Sequence, residues 1–217
     1  ISSLVSNDTG DTLYFLQSIS EYSPPQIMRF TLNNLNVITL GTLPVELSSL
    51  RSFKYKDGAF FYLNNGDAMK MQNGNLEMLN QPDDNNYAML PITNSSYILT
   101  GFQGGNYYLT NGYSNTDNNP TYDLDYDNSS STLWIYSNNG EVRIKKSTGD
   151  GTTTIYDSNH MYPISSGYIN YNLKYFEGKV YFNAKNTLYS VNDDGTNFTV
   201  INSSNDLQQI NGIVITD

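Results

Sequence analysis

The residues with the clearest chemical potential are three aspartates at alternate positions, Asp123, Asp125 and Asp127. Carboxylates close together in sequence can converge on one Ca²⁺ ion when the chain loops around it. The calcium-loop pattern requires glycine at its sixth place and glutamate at its twelfth, where this chain has Asn128 and Trp134. The pattern is therefore met only in part. We expect no cofactor, with calcium at these aspartates as the alternative.

The residues between the aspartates indicate a strand. Tyr122, Leu124 and Tyr126 alternate with the acids, and alternate side chains of a strand lie on opposite faces of its sheet. This pattern predicts that the tyrosine and leucine side chains are buried and that the carboxylates form a row in solvent.

Catalytic arrangements are poorly represented. Two carboxylates about 5 to 9 Å apart can hydrolyse a glycosidic bond, and the 21 acidic residues offer many pairs that spacing does not distinguish. The single histidine, His160, has no nucleophile-elbow motif to accompany it, and the chain has no cysteine. We therefore expect a protein without catalytic residues, with a lectin or glycosidase as the alternative.

Tyrosine-rich sequence supplies the best candidate for a binding face. A tyrosine ring offers apolar area with a hydroxyl group at one edge, which suits contact with a sugar or a protein partner. The segment 112–128 combines such rings with Asn and Asp side chains. The predicted ligand-binding residues are Tyr113, Asn115, Asp117, Tyr122, Asp123, Asp125 and Tyr126.

The overall charge limits the classes of partner. The formal net charge is -10 at pH 7 and the pI is about 4.3, so the chain would repel phosphate backbones and anionic lipids. Its apolar runs are far shorter than the roughly 20 residues that cross a bilayer. We therefore expect neither nucleic-acid binding nor membrane insertion. The acidic, cysteine-free composition, rich in Asn, Ser, Thr and Tyr, is typical of a secreted or cell-surface protein.

Turn signals and short alternating segments predict an all-β chain. Half of the 16 glycines follow Asn or Asp, a pairing that favours two-residue hairpin turns. Four aromatic-rich segments share one pattern, and the matching residues are separated by 47, 73 and 47 positions. We call these matching residues the slot residues: Tyr14, Phe61, Trp134 and Tyr181. Third strands are predicted near Met28, Met69, Arg143 and Tyr189, and fourth strands around Val37, Leu76, Ile155 and Val200.

A repeat of about 47 residues with four short strands has the size of one propeller blade. We predict a single β-propeller domain of about four four-stranded blades, on its own or as part of a larger ring, with the slot residues filling the space between sheets. The repeats are 1–46, 47–92, 93–165 and 166–211, and 212–217 is a further opening strand. A further hairpin predicted at 97–109 makes a degenerate fifth blade an alternative. A β-sandwich or a solenoid is the alternative fold.

One segment also resembles a known family. Three short runs carry the resemblance: Lys179-Val180-Tyr181-Phe182, Leu188-Tyr189-Ser190-Val191 and Asp193-Asp194-Gly195-Thr196. Together they resemble a blade of the bacterial propellers related to the low-density-lipoprotein-receptor type. The resemblance implies an extracellular binding module and carries no catalytic residues. The expected partner is a protein or a glycan on the cell exterior. Self-association into a surface fibre or layer, through the strand at 213–217, is a further alternative.

Overall fold

The computed structural model describes residues 3–7, 9–79, 86–101, 107–109, 121–127, 129–138, 142–148, 151–158, 172–184, 187–203, 210 and 212–215. In this part of the chain the regular structure consists of β-strands and one short 3-10 turn at Leu47–Ser49. The predicted all-β class is confirmed. The strands fall into two compact units, with β1 to β11 in the first and β12 to β19 in the second.

The first unit begins with two four-stranded antiparallel sheets in which neighbours in sequence are neighbours in space. Sheet 1 contains β1 (Leu4–Ser6), β2 (Thr12–Gln17), β3 (Gln26–Thr31) and β4 (Asn36–Thr42). Sheet 2 contains β5 (Leu50–Lys56), β6 (Ala59–Asn64), β7 (Asp67–Gln72) and β8 (Asn75–Met78).

Local turn chemistry explains the tight connections of sheet 2. At Asp57-Gly58, between β5 and β6, both residues have positive φ, 47° and 80°. Asn73-Gly74, between β7 and β8, repeats this geometry with 51° and 78°. Two consecutive positive φ angles give the turn a twist that matches the flanking strands. The turns predicted from these residue pairs are therefore confirmed.

The third sheet of the first unit has three described strands. Sheet 3 contains β9 (Asn86–Pro91), β10 (Tyr97–Gly101) and β11 (Tyr107–Leu109), in the order β11-β10-β9. The predicted hairpin at 97–109 is present as the pair β10 and β11. It follows β9, so its strands are the second and third of this sheet.

The second unit contains two more four-stranded antiparallel meanders. Sheet 4 contains β12 (Thr121–Asp127), β13 (Thr132–Asn138), β14 (Val142–Thr148) and β15 (Gly151–Ser158). Sheet 5 contains β16 (Leu173–Phe176), β17 (Lys179–Ala184), β18 (Thr187–Asn192) and β19 (Thr199–Ser203). All the third and fourth strands predicted from the repeat are confirmed. Residues 212–215, predicted as an opening strand, are in neither helix nor strand.

Apolar side chains fill the space between consecutive sheets within each unit. One core cluster joins sheets 1 and 2, a second joins sheets 2 and 3, and a third joins sheets 4 and 5. The slot residues Tyr14, Phe61 and Trp134 belong to these three clusters in turn, whereas Tyr181 is half-buried. The prediction that slot residues fill the inter-sheet space is confirmed for the first three.

One aromatic contact recurs between consecutive sheets. Tyr14 of β2 stacks on Tyr55 of β5, with ring centroids 4.4 Å apart. Trp134 of β13 stacks on Tyr175 of β16 at 4.8 Å. In both cases the slot residue contacts the first strand of the next sheet, 41 positions later in the chain.

Candidate functional site

The predicted binding residues divide into two groups. Tyr113, Asn115 and Asp117 lie outside the described residues. Tyr122, Asp123, Asp125 and Tyr126 lie on β12, the first strand of sheet 4. Ligand binding by these residues stays a prediction, and the structure gives the geometry of the β12 part alone.

Strand alternation separates the β12 residues into two faces. Tyr122, Leu124 and Tyr126 alternate with the aspartates, and a β-bulge between Thr121 and Asp123 interrupts the pairing with β13 at Tyr122. Leu124 is buried, and the two tyrosines are half-buried. The two rings are therefore the partly accessible part of this face.

The prediction that the carboxylates form a row in solvent is wrong for Asp123 and Asp125, whose residues are only 5% and 8% exposed. Asp123 Oδ2 accepts a hydrogen bond from the Leu173 backbone N–H at 2.8 Å. Asp125 Oδ2 accepts one from the Tyr175 backbone N–H at 2.8 Å. The two carboxylates thus bind the edge of β16, the first strand of sheet 5.

A cation strengthens the same contact. Lys174 Nζ lies 3.1 Å from Asp125 Oδ1, and its side chain is partly exposed. Both oxygens of Asp125 therefore have a partner on β16. Hydrogen bonds to ionised acceptors are roughly twice as strong as neutral ones. Asp123 and Asp125 are buried because β16 supplies two backbone N–H groups and one ammonium group, which replace the water that would otherwise solvate their carboxylates.

A serine forms the corresponding contact in the first unit. Ser52 Oγ of β5 accepts a hydrogen bond from the Met89 N–H at 2.8 Å and donates one to the Met89 carbonyl at 2.9 Å. One hydroxyl thereby occupies both backbone groups of a residue in β9, the first strand of the next sheet. Sequence reasoning missed this residue, because a lone serine in a strand has no spacing pattern that marks it.

Asp127, the third aspartate, is in a different environment from the other two. Its carboxylate accepts hydrogen bonds from Ser130 Oγ at 2.6 Å and from Ser129 Oγ and N at 2.7 and 2.9 Å. These bonds, with that of Ser130 the strongest influence, hold the pKa of Asp127 below its usual range. The three aspartates therefore serve one inter-sheet contact and one turn. Among the described residues, no group of three or more His, Cys, Asp and Glu side chains is placed to hold a metal ion.

The turn at Asp193-Asp194-Gly195 is confirmed as a turn with a packing role. Asp194 Oδ1 accepts hydrogen bonds from the hydroxyl and the N–H of Thr196, at 2.6 and 2.8 Å, and these lower its pKa. A Cβ on Gly195 would lie 2.8 Å from the Ile155 carbonyl oxygen of β15. The turn is thus closely packed against β15, the fourth strand of sheet 4.

The single histidine, His160, lies outside the described residues.

Comparison with known sequences gives no family. No protein-family model matches the chain. No curated protein matches it.

Comparison with solved structures shows the fold. A chain of the nidogen/laminin complex aligns over 98% of this chain and 83% of its own length, with a TM-score of 0.71 and 12% identity. The extracellular domain of a putative hybrid two component system from B. thetaiotaomicron aligns over 98% of this chain, which spans 35% of that domain, with a TM-score of 0.57 and 12% identity.

A third similar structure is described as a β-propeller domain. The β-propeller domain of Myceliophteria thermophila Cps50 (Swd1) aligns over 91% of this chain and 70% of its own, with a TM-score of 0.50 and 15% identity. At such identities the likeness concerns the fold alone. The predicted fold is confirmed: the described residues form four four-stranded antiparallel blades of a β-propeller, besides the three strands of sheet 3.

Proposed function

We propose that this chain is an extracellular β-propeller that binds a protein or a glycan and carries out no chemistry. The observation that supports this most directly is that the carboxylates of Asp123 and Asp125 accept hydrogen bonds from the backbone of a neighbouring sheet. A catalytic carboxylate must face its substrate, whereas these two face the backbone of β16. They are positioning residues for the sheets in this proposal, and ligand contact falls to their neighbours on β12.

Tyr122 and Tyr126 are the proposed contact residues within the described part of the chain. They lie four positions apart on the same strand, half-buried, so each ring is held by the sheet while part of it is accessible. A ring that is already ordered loses little conformational entropy on binding. Tyr113, Asn115 and Asp117 would extend this face.

The similar structures support the proposed location and partner class. One belongs to a protein–protein complex and another is an extracellular domain. Within the described residues, no helix has the length and apolar character needed to cross a membrane. A secreted or surface-exposed protein that binds another macromolecule accords with both of these similar structures.

The proposal is tested by measuring binding and hydrolysis side by side. The labelled chain is applied to a glycan array and to an array of purified extracellular proteins, and any bound glycan is also assayed for cleavage. We expect binding without cleavage, weakened at least tenfold in the double variant Tyr122→Ala and Tyr126→Ala. Tyr22→Ala removes an exposed tyrosine in the turn between β2 and β3 and serves as the control.

Two results would contradict the proposal. Turnover of a glycan would assign the chain to the carbohydrate-active class. Binding that is equally strong in the double variant and in the Tyr22→Ala control would place the ligand away from β12. Circular dichroism of both variants separates a loss of contact from a loss of fold.

A further inference from the structure

A basic residue lies directly opposite the slot residue in three of the four-stranded sheets. The slot residue is on the second strand of its sheet and the basic residue is on the third. Residues opposite each other on paired strands share a face of the sheet, so each basic side chain lies beside a large aromatic ring. The pairs are Tyr14–Arg29, Phe61–Lys70 and Trp134–Lys146.

Two of these three cations have a partner within their own sheet. Lys70 lies opposite Glu77 of β8, and its Nζ is 3.8 Å from Glu77 Oε2. Lys146 Nζ lies 5.2 Å from the centre of the Trp134 ring, within the range of a cation–π interaction. The basic residue at this position therefore has a partner in sheets 2 and 4, a carboxylate in the first and an aromatic ring in the second.

Arg29 has no such partner. The residue opposite it on β4 is Ile38, at the position that Glu77 occupies in sheet 2. Arg29 Nε is buried and has no hydrogen-bond partner. Among the residues that the structure describes, none forms an ion pair with it. A buried donor without an acceptor lowers the stability of the folded state.

Two stacked tyrosines lie beside Arg29. Its side chain is on the face of sheet 1 that carries Tyr14, which stacks on Tyr55 of sheet 2. Burial, and then a hydrogen bond with Tyr55, raise the pKa of Tyr14, so the Tyr14 phenol stays neutral at pH 7. Asp11, an acid whose charge acts on Tyr14, accepts hydrogen bonds at Oδ1 from Asn7 Nδ2 at 2.7 Å and from Thr12 Oγ1 at 2.9 Å.

We propose that Arg29 binds a carboxylate group supplied from outside the chain, at the position that the Glu77 carboxylate occupies for Lys70 in sheet 2. The planar guanidinium presents a rigid set of N–H donors that fits a carboxylate. The carboxylate would belong either to a small organic acid or to an acidic side chain of a peptide. None of the residues named for this site belongs to the proposed binding face on β12.

The test follows the Arg29 Nε–H signal by NMR during titration with three probes at constant ionic strength. The probes are sodium succinate, the peptide acetyl-Gly-Glu-Gly-amide and sodium phosphate. We expect succinate or the peptide to shift this signal and to raise the melting temperature, and the stronger of the two identifies the source of the acid. Arg29→Gln should weaken that binding by about tenfold to a hundredfold, the effect of losing a charged hydrogen bond.

Two further variants make the test specific. Lys70→Gln removes the equivalent cation of sheet 2, whose own carboxylate partner is internal, and should leave binding unchanged. Ile38→Glu supplies the missing carboxylate opposite Arg29, so it should raise the melting temperature and abolish the response to the probes. This second variant decides the matter even where Arg29→Gln fails to fold.

The proposal is overturned by any of three results. The first is that no probe shifts the Arg29 signal. The second is that phosphate alone binds, which would indicate an anion site without selectivity for carboxylates. The third is that Ile38→Glu responds to succinate and the peptide as the unchanged chain does.

Discussion

At the scale of single residues, Gly195 is constrained twice. Its φ is 85°, in the left-handed region that a side chain disfavours, and its missing side chain leaves room for the Ile155 carbonyl. The residue thus serves both the turn between β18 and β19 and the contact of that turn with β15. The Asp-Gly sequence predicts the turn, but it contains no information about the contact, because Ile155 lies 40 positions earlier.

Gly195→Ala should therefore destabilise the fold by more than its backbone angle alone explains. We expect a loss of roughly 2–4 kcal/mol in the free energy of unfolding, measured by urea denaturation. Gly178→Ala is the matched control, because Gly178 has a φ of 78° and no atom within 4 Å of its added Cβ. The control should lose about 1–2 kcal/mol. Equal losses in the two variants would show that the Ile155 contact is unimportant.

Asp194 provides a prediction about protonation. The Thr196 hydroxyl and N–H lower its pKa in the folded state. Ionised Asp194 therefore favours the folded state above the ordinary carboxyl pKa, and this contribution is lost as the pH falls through the lowered value. In Thr196→Val the pKa of Asp194 should move up towards its usual range, as followed by NMR of the carboxyl carbon. Thr199→Val, which leaves both hydrogen bonds intact, should not change it.

At the scale of strands, the first strand of one sheet binds the first strand of the next through side chains. Asp123 and Asp125 do this for β16, and Ser52 does it for β9. The strands joined in this way have no backbone pairing with each other. Side-chain oxygens accept the hydrogen bonds that a neighbouring strand would otherwise accept. Such contacts connect consecutive sheets in addition to their apolar packing.

Asp125→Ala should weaken the fold because it leaves the partly buried Tyr175 N–H without an acceptor and Lys174 without its counter-ion. We expect a loss of about 1–3 kcal/mol in the free energy of unfolding. Asp127→Ala, which removes an exposed carboxylate bound to serines of its own turn, should change stability by at most about 1 kcal/mol. A loss in Asp127→Ala as large as in Asp125→Ala would contradict the assigned roles.

These strands also show what the sequence predicts and what it does not. Alternation at 122–127 predicts a strand with two different faces, and this is confirmed. It does not say which face is buried, because that depends on β16, about 50 positions later. The hairpin at 97–109 is predicted from its aromatic residues. Its partner β9 is not among the strands that the repeat predicts.

At the scale of the whole molecule, the fold follows from repetition that the sequence displays. The 47-residue interval and the Asn-Gly and Asp-Gly turns predict the four-stranded blades, because both signals are local. The candidate site is less predictable. Its aspartates act through contacts with a distant strand, and Arg29 is recognised only when sheet 1 is compared with sheet 2 at matched positions.

Calcium binding offers a test on the whole chain. With Asp123 and Asp125 bound to β16, we expect CaCl₂ to leave the melting temperature as it is in NaCl of equal ionic strength. A specific site at a hundredfold excess of calcium over its Kd would add about 2.7 kcal/mol, a shift of several degrees for a chain of this size. NaCl is the necessary control, because a net charge of -10 makes stability depend on screening. A shift specific to calcium would show that the aspartates rearrange around the ion.

The aromatic contact between consecutive sheets has a consequence for how such a chain can change in length. Tyr14 with Tyr55, and Trp134 with Tyr175, place one half of the contact on the second strand of a sheet and the other half on the first strand of its successor. Every sheet that carries both halves can follow and precede another of its kind. A gene segment encoding one such sheet could be duplicated or deleted as a unit, and the sheets on either side of the event would still find matching surfaces.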